Sequence, residues 1–111
     1  MIGTRARTLS PDELRPAAEA MLAAGGRVRF AYAWSPAEGE VEARYVASVP
    51  DRRDFEMWVV RSARELPSLA AIFPSLGWYE REMMDLSGLG FLDHPEPYPL
   101  VLKDEIGRAH V

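Results

Sequence analysis

Arg27-Val28-Arg29-Phe30-Ala31-Tyr32-Ala33-Trp34 is the stretch that decides the fold. Its large apolar residues, Val28, Phe30, Tyr32 and Trp34, occupy every second position, and charged or small residues stand between them. A period of two marks a strand with one buried face, because successive side chains of an extended backbone leave on opposite sides. A second run follows the loop Ser35 to Glu40: Val41, Ala43, Tyr45, Ala47 and Val49 alternate with Glu42, Arg44, Val46 and Ser48. A third runs from Phe55 to Arg61, joined to the second by Pro50-Asp51-Arg52-Arg53-Asp54, a connection short enough for antiparallel neighbours. In this third run Trp58 lies with Glu56, opposite Phe55, Met57 and Val59, so one of the two faces has to bury a second layer or meet a partner.

Three strands with a bare apolar face are not stable alone, which makes covering helices necessary. Ser10-Pro11-Asp12-Glu13 reads as a capping box with proline at the first helical position, followed by Leu14, Ala17, Ala18, Met21 and Leu22 on one face and the stop Gly25-Gly26. Pro16 conflicts with this start, so the helix either kinks there or begins there. Leu66-Pro67 opens a predicted short helix that turns Leu69, Ile72 and Phe73 inward and ends at Pro74. Another is predicted over Leu76 to Ser87, with Ser75 as cap and Gly88 as stop, and the prolines of His94 to Pro99 then enforce an extended path. The expected fold is therefore α+β. An antiparallel meander of at least three strands is covered by two to three helices and followed by an extended Pro-rich C-terminal tail, all in one domain over residues 1–111.

The 111 residues, 48% hydrophobic, suit one modest core, and a formal net charge of −4 gives no footprint for a phosphate backbone, so nucleic acid is not an expected partner. The chain contains no cysteine, and therefore no thiolate ligand for an iron–sulfur or nickel-iron centre; no cofactor is expected to reside on it. Met1 to Arg7 has no apolar core of a signal peptide, and no apolar run reaches the length of a membrane span, so direct membrane insertion is not expected either.

The densest polar constellation is Glu80, Arg81, Glu82 and Asp85 on the last predicted helix. Glu82 and Asp85 share a face with Trp78, Arg81 and Asp85 are spaced as an ion pair, and Glu80 and Glu82 point apart. Glu82 with Asp85 has the makings of an acid–base dyad or a metal site, but hydrolytic metal sites add histidine or further carboxylates; a solvated or partner-facing helix surface accounts for the pair as well. His94 and His110 are the histidines of the chain, and His94 beside Asp93 is open to two readings, a general base or a residue that fixes the tail by hydrogen bonds. No phosphate loop, nucleophile elbow or dinucleotide fingerprint is present, since Gly88-Leu89-Gly90 lacks both the third glycine and the strand-before-helix context. Trp34, Trp58, Trp78, Tyr79 and Phe91 suit either a core or an interface.

Trp78-Tyr79-Glu80-Arg81-Glu82-Met83-Met84-Asp85-Leu86-Ser87-Gly88-Leu89, continued by Gly90-Phe91-Leu92-Asp93-His94-Pro95, resembles the signature of the family formed by the C subunit of respiratory complex I, the NADH:quinone oxidoreductase. That family includes the related domain of membrane-bound nickel-iron hydrogenase complexes. Leu66-Pro67-Ser68-Leu69 through Phe73-Pro74 resembles the lead-in to the signature. Ser87 stands where many respiratory members carry phenylalanine, and the chain ends soon after Leu102 without their long extension, which tilts the resemblance toward the hydrogenase branch.

The resemblance implies a non-catalytic structural subunit, peripheral on the cytoplasmic side of the cell membrane. It would dock onto the large subunit that bears the quinone site or the nickel-iron centre. Carried over residue by residue, the expected partner interface is Trp78, Glu80, Arg81, Glu82, Asp85, Gly88, His94 and Pro95, with no catalytic, cofactor-binding or metal-ligating residue. Gly88 also serves as the left-handed stop that aims the tail. Isolated from its partner, such a domain is expected to pair with itself through the exposed interface. Two alternatives stand beside this reading: a soluble interaction module outside any redox complex, and a small enzyme using Glu82, Asp85 and His94, which requires those side chains to converge on one concave pocket.

Overall fold

Backbone pairing is densest where the period of two is clearest. The computed structural model describes residues 4–61 and 64–94, arranged as β1 (Thr4–Thr8), α1 (Pro11–Ala23), β2 (Arg27–Trp34), β3 (Glu42–Ser48), β4 (Phe55–Arg61), β5 (Glu65–Pro67), α2 (Leu76–Ser87) and β6 (Gly90–Leu92). β2, β3 and β4 form the predicted antiparallel meander, and β1 adds in parallel to β4, giving a four-stranded mixed sheet of order β1-β4-β3-β2. The fold is α+β, as the patterning requires. The predicted Pro-rich tail beyond His94 lies outside the described residues.

β1 is the strand that the sequence reading lacked. Thr4 to Thr8 has no apolar alternation; charge fastens it instead, with Arg5 Nε 2.8 Å from Asp54 Oδ2 and Arg7 NH1 3.3 Å from Glu56 Oε1. Charged residues on an edge strand also discourage further pairing with other chains. Because β1 and β2 run in the same direction at opposite edges of the sheet, α1 is the crossover that joins them.

One sheet face is core. Ala43, Tyr45 and Ala47 of β3 lie opposite Val60, Trp58 and Glu56 of β4, and all of these except the half-buried Glu56 join Leu14, Ala18 and Met21 of α1 in one buried cluster. This answers the question posed by Trp58: its face is the inner one, and its indole Nε1 donates to Glu56 Oε1 at 2.7 Å, so the polar edge of the ring is satisfied.

β2 departs from its own sequence pattern. The register with β3 skips from Val28↔Ala47 to Phe30↔Val46, a bulge at Arg29, whose Nε donates to Ser48 Oγ at 2.8 Å. An extra residue reverses the facing of everything after it. Val28 and Ala31 are therefore buried, whereas Phe30, at 41% exposure, and Trp34, at 48%, stand on the outer face instead of joining Val28 inside. There the Arg44 guanidinium lies 5.1 Å from the Trp34 ring centroid and 6.0 Å from that of Tyr32. A hydrogen bond involving Tyr32 is the chief reason that Arg44 is held above its ordinary pKa, with Glu42 adding to it.

α1 runs unbroken from Pro11 to Ala23 with Pro16 inside it, and Glu13 reaches back to accept the Ser10 N–H at 2.8 Å. The short helix expected after Leu66 does not form. Leu66 pairs with Phe91 in the small parallel sheet of β5 and β6, and the chain then makes turns closed by Ile72 and Phe73 N–H groups on the Leu69 carbonyl. α2 begins at Leu76 as predicted, but Ser75 has helical dihedrals itself and makes no side-chain cap. Gly88 ends it at φ 78°, ψ 7°, donating to the Met84 carbonyl. No helix among the described residues is long and apolar enough to cross a membrane.

Candidate functional site

α2 carries most of the residues singled out above, and its 3.6-residue period sorts them into an inner and an outer set. Leu76, Glu80 and Met83, spaced four and three apart, are buried. Trp78, at 57% exposure, and Leu86, at 81%, face outward, and Arg81, Glu82 and Asp85 lie half-buried along the flanks.

Glu80 is the unusual member, a carboxylate at 0% exposure. Both oxygens are occupied: Ser68 Oγ donates to Oε1 at 2.6 Å and the Leu69 N–H to Oε2 at 2.7 Å. Ser68 Oγ in turn accepts the Ala70 N–H at 3.1 Å. The turn that displaced the predicted short helix is thus pinned by side chains that satisfy its backbone donors, a local competition that a helix loses. Burial raises the Glu80 pKa above the ordinary carboxylate value, and the bonds from Ser68 and Leu69 and the nearby His94 pull it partly back. Tyr45, also fully buried, has its phenol pushed strongly upward by desolvation and by the negative charge of Glu80.

His94 closes this cluster from below. Its Nε2 lies 3.2 Å from the Gly77 carbonyl oxygen and 3.5 Å from Glu80 Oε1. A carbonyl oxygen only accepts, so the bond to Gly77 places a proton on Nε2. His94 thereby ties the end of the small sheet to the first turn of α2, the hydrogen-bonding role weighed against the catalytic one.

The interface set carried over from the resemblance is therefore divided. Glu80 and His94 are buried in this chain, with both Glu80 oxygens and the His94 Nε2 engaged by its own groups. Trp78, Glu82, Asp85, Arg81 and the exposed Gly88 lie on or near the outside, and Pro95 lies outside the described residues. The expected ion pair of Arg81 with Asp85 does not form within 4.0 Å, and neither Glu82 nor Asp85 has a salt bridge or hydrogen bond among the described residues. Glu82, Asp85 and His94 do not converge, since Glu82 faces β2 and His94 the buried Glu80. No group of three or more His, Asp or Glu is gathered as for a metal among the described residues. Ser68 and Tyr45 are the members of the cluster that sequence reading missed.

The sequence model of the family described as respiratory-chain NADH dehydrogenase, 30 Kd subunit, matches residues 8–110, and the chain belongs to that family. Among curated proteins it is 53% identical over 38 residues to the C/D subunit of NADH-quinone oxidoreductase from Shewanella woodyi, covering 34% of this chain and 6% of that protein. It is 36% identical over 74 residues to the C subunit of F(420)H(2) dehydrogenase from Methanosarcina mazei, covering 64% of this chain and 47% of the relative. The matched segments thus span less than half of either relative. A chain in the structure of the membrane-bound sulfane sulfur reductase, an archaeal respiratory membrane complex, superposes with a TM-score of 0.76 over 92% of this chain and 65% of its own length. At 22% identity, that likeness speaks for the fold.

Proposed function

We propose that this chain is a non-catalytic structural subunit of a membrane-associated redox complex of the NADH:quinone oxidoreductase or nickel-iron hydrogenase type, held on the cytoplasmic side by docking onto the large subunit. The observation that carries the reading is the division of labour on α2. Its inward carboxylate, Glu80, is locked by Ser68 and the Leu69 N–H, with His94 buried against it. The outward side shows Trp78, Leu86 and the carboxylates of Glu82 and Asp85, which have no ion-pair partner among the described residues and suit recognition rather than catalysis. Family membership supports the same reading, and the separation of Glu82, Asp85 and His94 speaks against the small enzyme.

The test is a tagged pull-down from gently detergent-solubilised membranes, with identification and metal analysis of the recovered proteins. A large subunit with nickel supports the hydrogenase branch, and iron–sulfur proteins without nickel support the respiratory one. Recovery of nothing, under conditions that keep known complexes whole, ends the subunit reading in favour of a soluble module.

A further inference from the structure

Val46 of β3 and Val59 of β4 are each only 8% exposed, yet neither belongs to the core cluster that Tyr45 and Trp58 share with both helices. Side chains of a strand alternate between faces, so these valines lie on the sheet face turned away from that cluster. The register joins Met57, Val46 and Phe30 in one row across β4, β3 and β2 of this outer face. Helix α2 reaches the face at its margin, where the Tyr79 ring centroid stands 6.4 Å from that of Phe30. Away from that margin Thr8 and Trp34 are exposed and Met57 is half-buried. Apolar side chains continuous across three strands mark an interaction surface more than singly scattered ones do.

The charge on this face is opposite to that of the chain. Arg44 and Arg61 share the carboxylate of Glu42, at 3.1 and 3.7 Å, and Arg29 donates to the neutral Ser48 Oγ. Among the described residues, three guanidiniums thus meet one carboxylate there, in a chain whose formal net charge is −4. Arg61 is the one placed to take a second anion, since its side chain is 66% exposed and Arg44 holds Glu42 more closely. It stands in register with Glu42 and Trp34, at one end of the apolar rows.

These features select the occupant. Unlike a sheet edge, a sheet face offers no backbone groups, so a segment laid on it must satisfy its own, as a helix does. Four strands span about 15 Å, room for one helix of about 10 Å diameter beside Tyr79. A second copy of the chain, sheet against sheet, would double the positive excess instead of meeting it.

We infer that the outer face of the sheet receives one amphipathic helix of another subunit, whose apolar stripe covers Val46, Met57 and Val59 and whose carboxylate pairs with Arg61 beside Trp34. The sheet then carries helices on both faces, three layers in place of two. The inference rests on the chain being a subunit, and adds a docking surface separate from the outward side of α2.

The experiment places a photo-cross-linking amino acid at Thr8 or at Trp34, both on the outer face, in the tagged chain within the intact membrane complex. Retention in the complex is read from tag recovery, and the cross-linked peptides are identified by mass spectrometry. Both positions are expected to mark one segment of one other subunit, with apolar residues three and four apart and a carboxylate among them. Arg61→Glu, a change at an exposed side chain, is expected to reduce both yields about tenfold, and lysine in place of the partner's carboxylate to restore them. If the chain is retained while the two positions reach nothing, a second copy or different subunits, or if Arg61→Glu leaves the yields unchanged, the sheet-face proposal is overturned and the subunit reading survives. If the chain enters no complex, both fall.

Discussion

Ser68 Oγ donates a 2.6 Å hydrogen bond to Glu80 Oε1, joining residues 12 positions apart across a turn and a helix. With the Leu69 N–H on Oε2 at 2.7 Å, it makes a signature carboxylate the anchor of its own lead-in segment. The first prediction follows from what removal would leave behind. Glu80→Ala orphans two buried donors and opens a void, and is expected to lower unfolding free energy by about 2–4 kcal/mol in urea titrations. Ser68→Ala, which removes one donor and spares the carboxylate's bond to Leu69, is expected to cost about 1–2 kcal/mol. Equal stability of all three proteins would show that the network contributes nothing.

The pH dependence of the same carboxylate has a definite sign. Burial raises the folded-state pKa of Glu80 above the ordinary 4.5. A group so raised contributes stability that is fully present below its unfolded value and is lost as pH climbs through the folded one. The stability of the natural chain relative to Glu80→Gln is therefore expected to decline on going from pH 4 into the raised range, and then level off. A difference that grows with pH over that window contradicts the assignment; matched denaturation curves at each pH measure it.

Two glycines are expected to resist alanine for different reasons. Gly88 has a φ of 78°, which an L side chain adopts at about 1–2 kcal/mol. At Gly26 a Cβ would sit 2.5 Å from Met21 Sδ and 2.7 Å from the Ser48 carbonyl oxygen, where methionine can yield but backbone cannot, for about 1–3 kcal/mol. Asparagine is expected to restore part of the loss at position 88 and none at 26, as thermal melts of the four variants would reveal.

Trp34 and Trp58 look alike in a strand pattern and are expected to behave differently. Trp58 is fully buried with its indole N–H on Glu56, so Trp58→Ala should cost about 3–5 kcal/mol. Trp34 is nearly half exposed with Arg44 over its ring, and Trp34→Ala should cost about 0.5–1 kcal/mol. Similar losses at both positions would mean that the outer face of the sheet is also packed.

The reach of sequence reading can be traced through individual residues. The meander and the limits of α2 were legible because alternation, helical spacing and Gly88 all act locally. The bulge at Arg29 was not: nothing in Val28-Arg29-Phe30 says that two residues will face one on β3, and that slip moved Phe30 and Trp34 outward. β1 was hidden because its fastening is ionic and its partner is remote in sequence. The Glu80 cluster lay between these cases. Leu76, Glu80 and Met83 fall on one helical face, a spacing that marks position 80 as interior, but the family signature drew attention to its charge. The donors that make burial tolerable sit on a turn whose conformation depends on Glu80 itself, so neither half was readable alone.

The parallel pairing of β1 with β4 has a consequence for the order of events on the ribosome. Thr4 is made well before its register partner Phe55, by roughly 3–10 seconds at ordinary rates of synthesis. The meander can assemble as a local structure, but the leading strand has no berth until the chain past Phe55 is out. A nascent chain stalled before that point should thus leave Thr4 to Thr8 open to protease, and one stalled well beyond it should protect them.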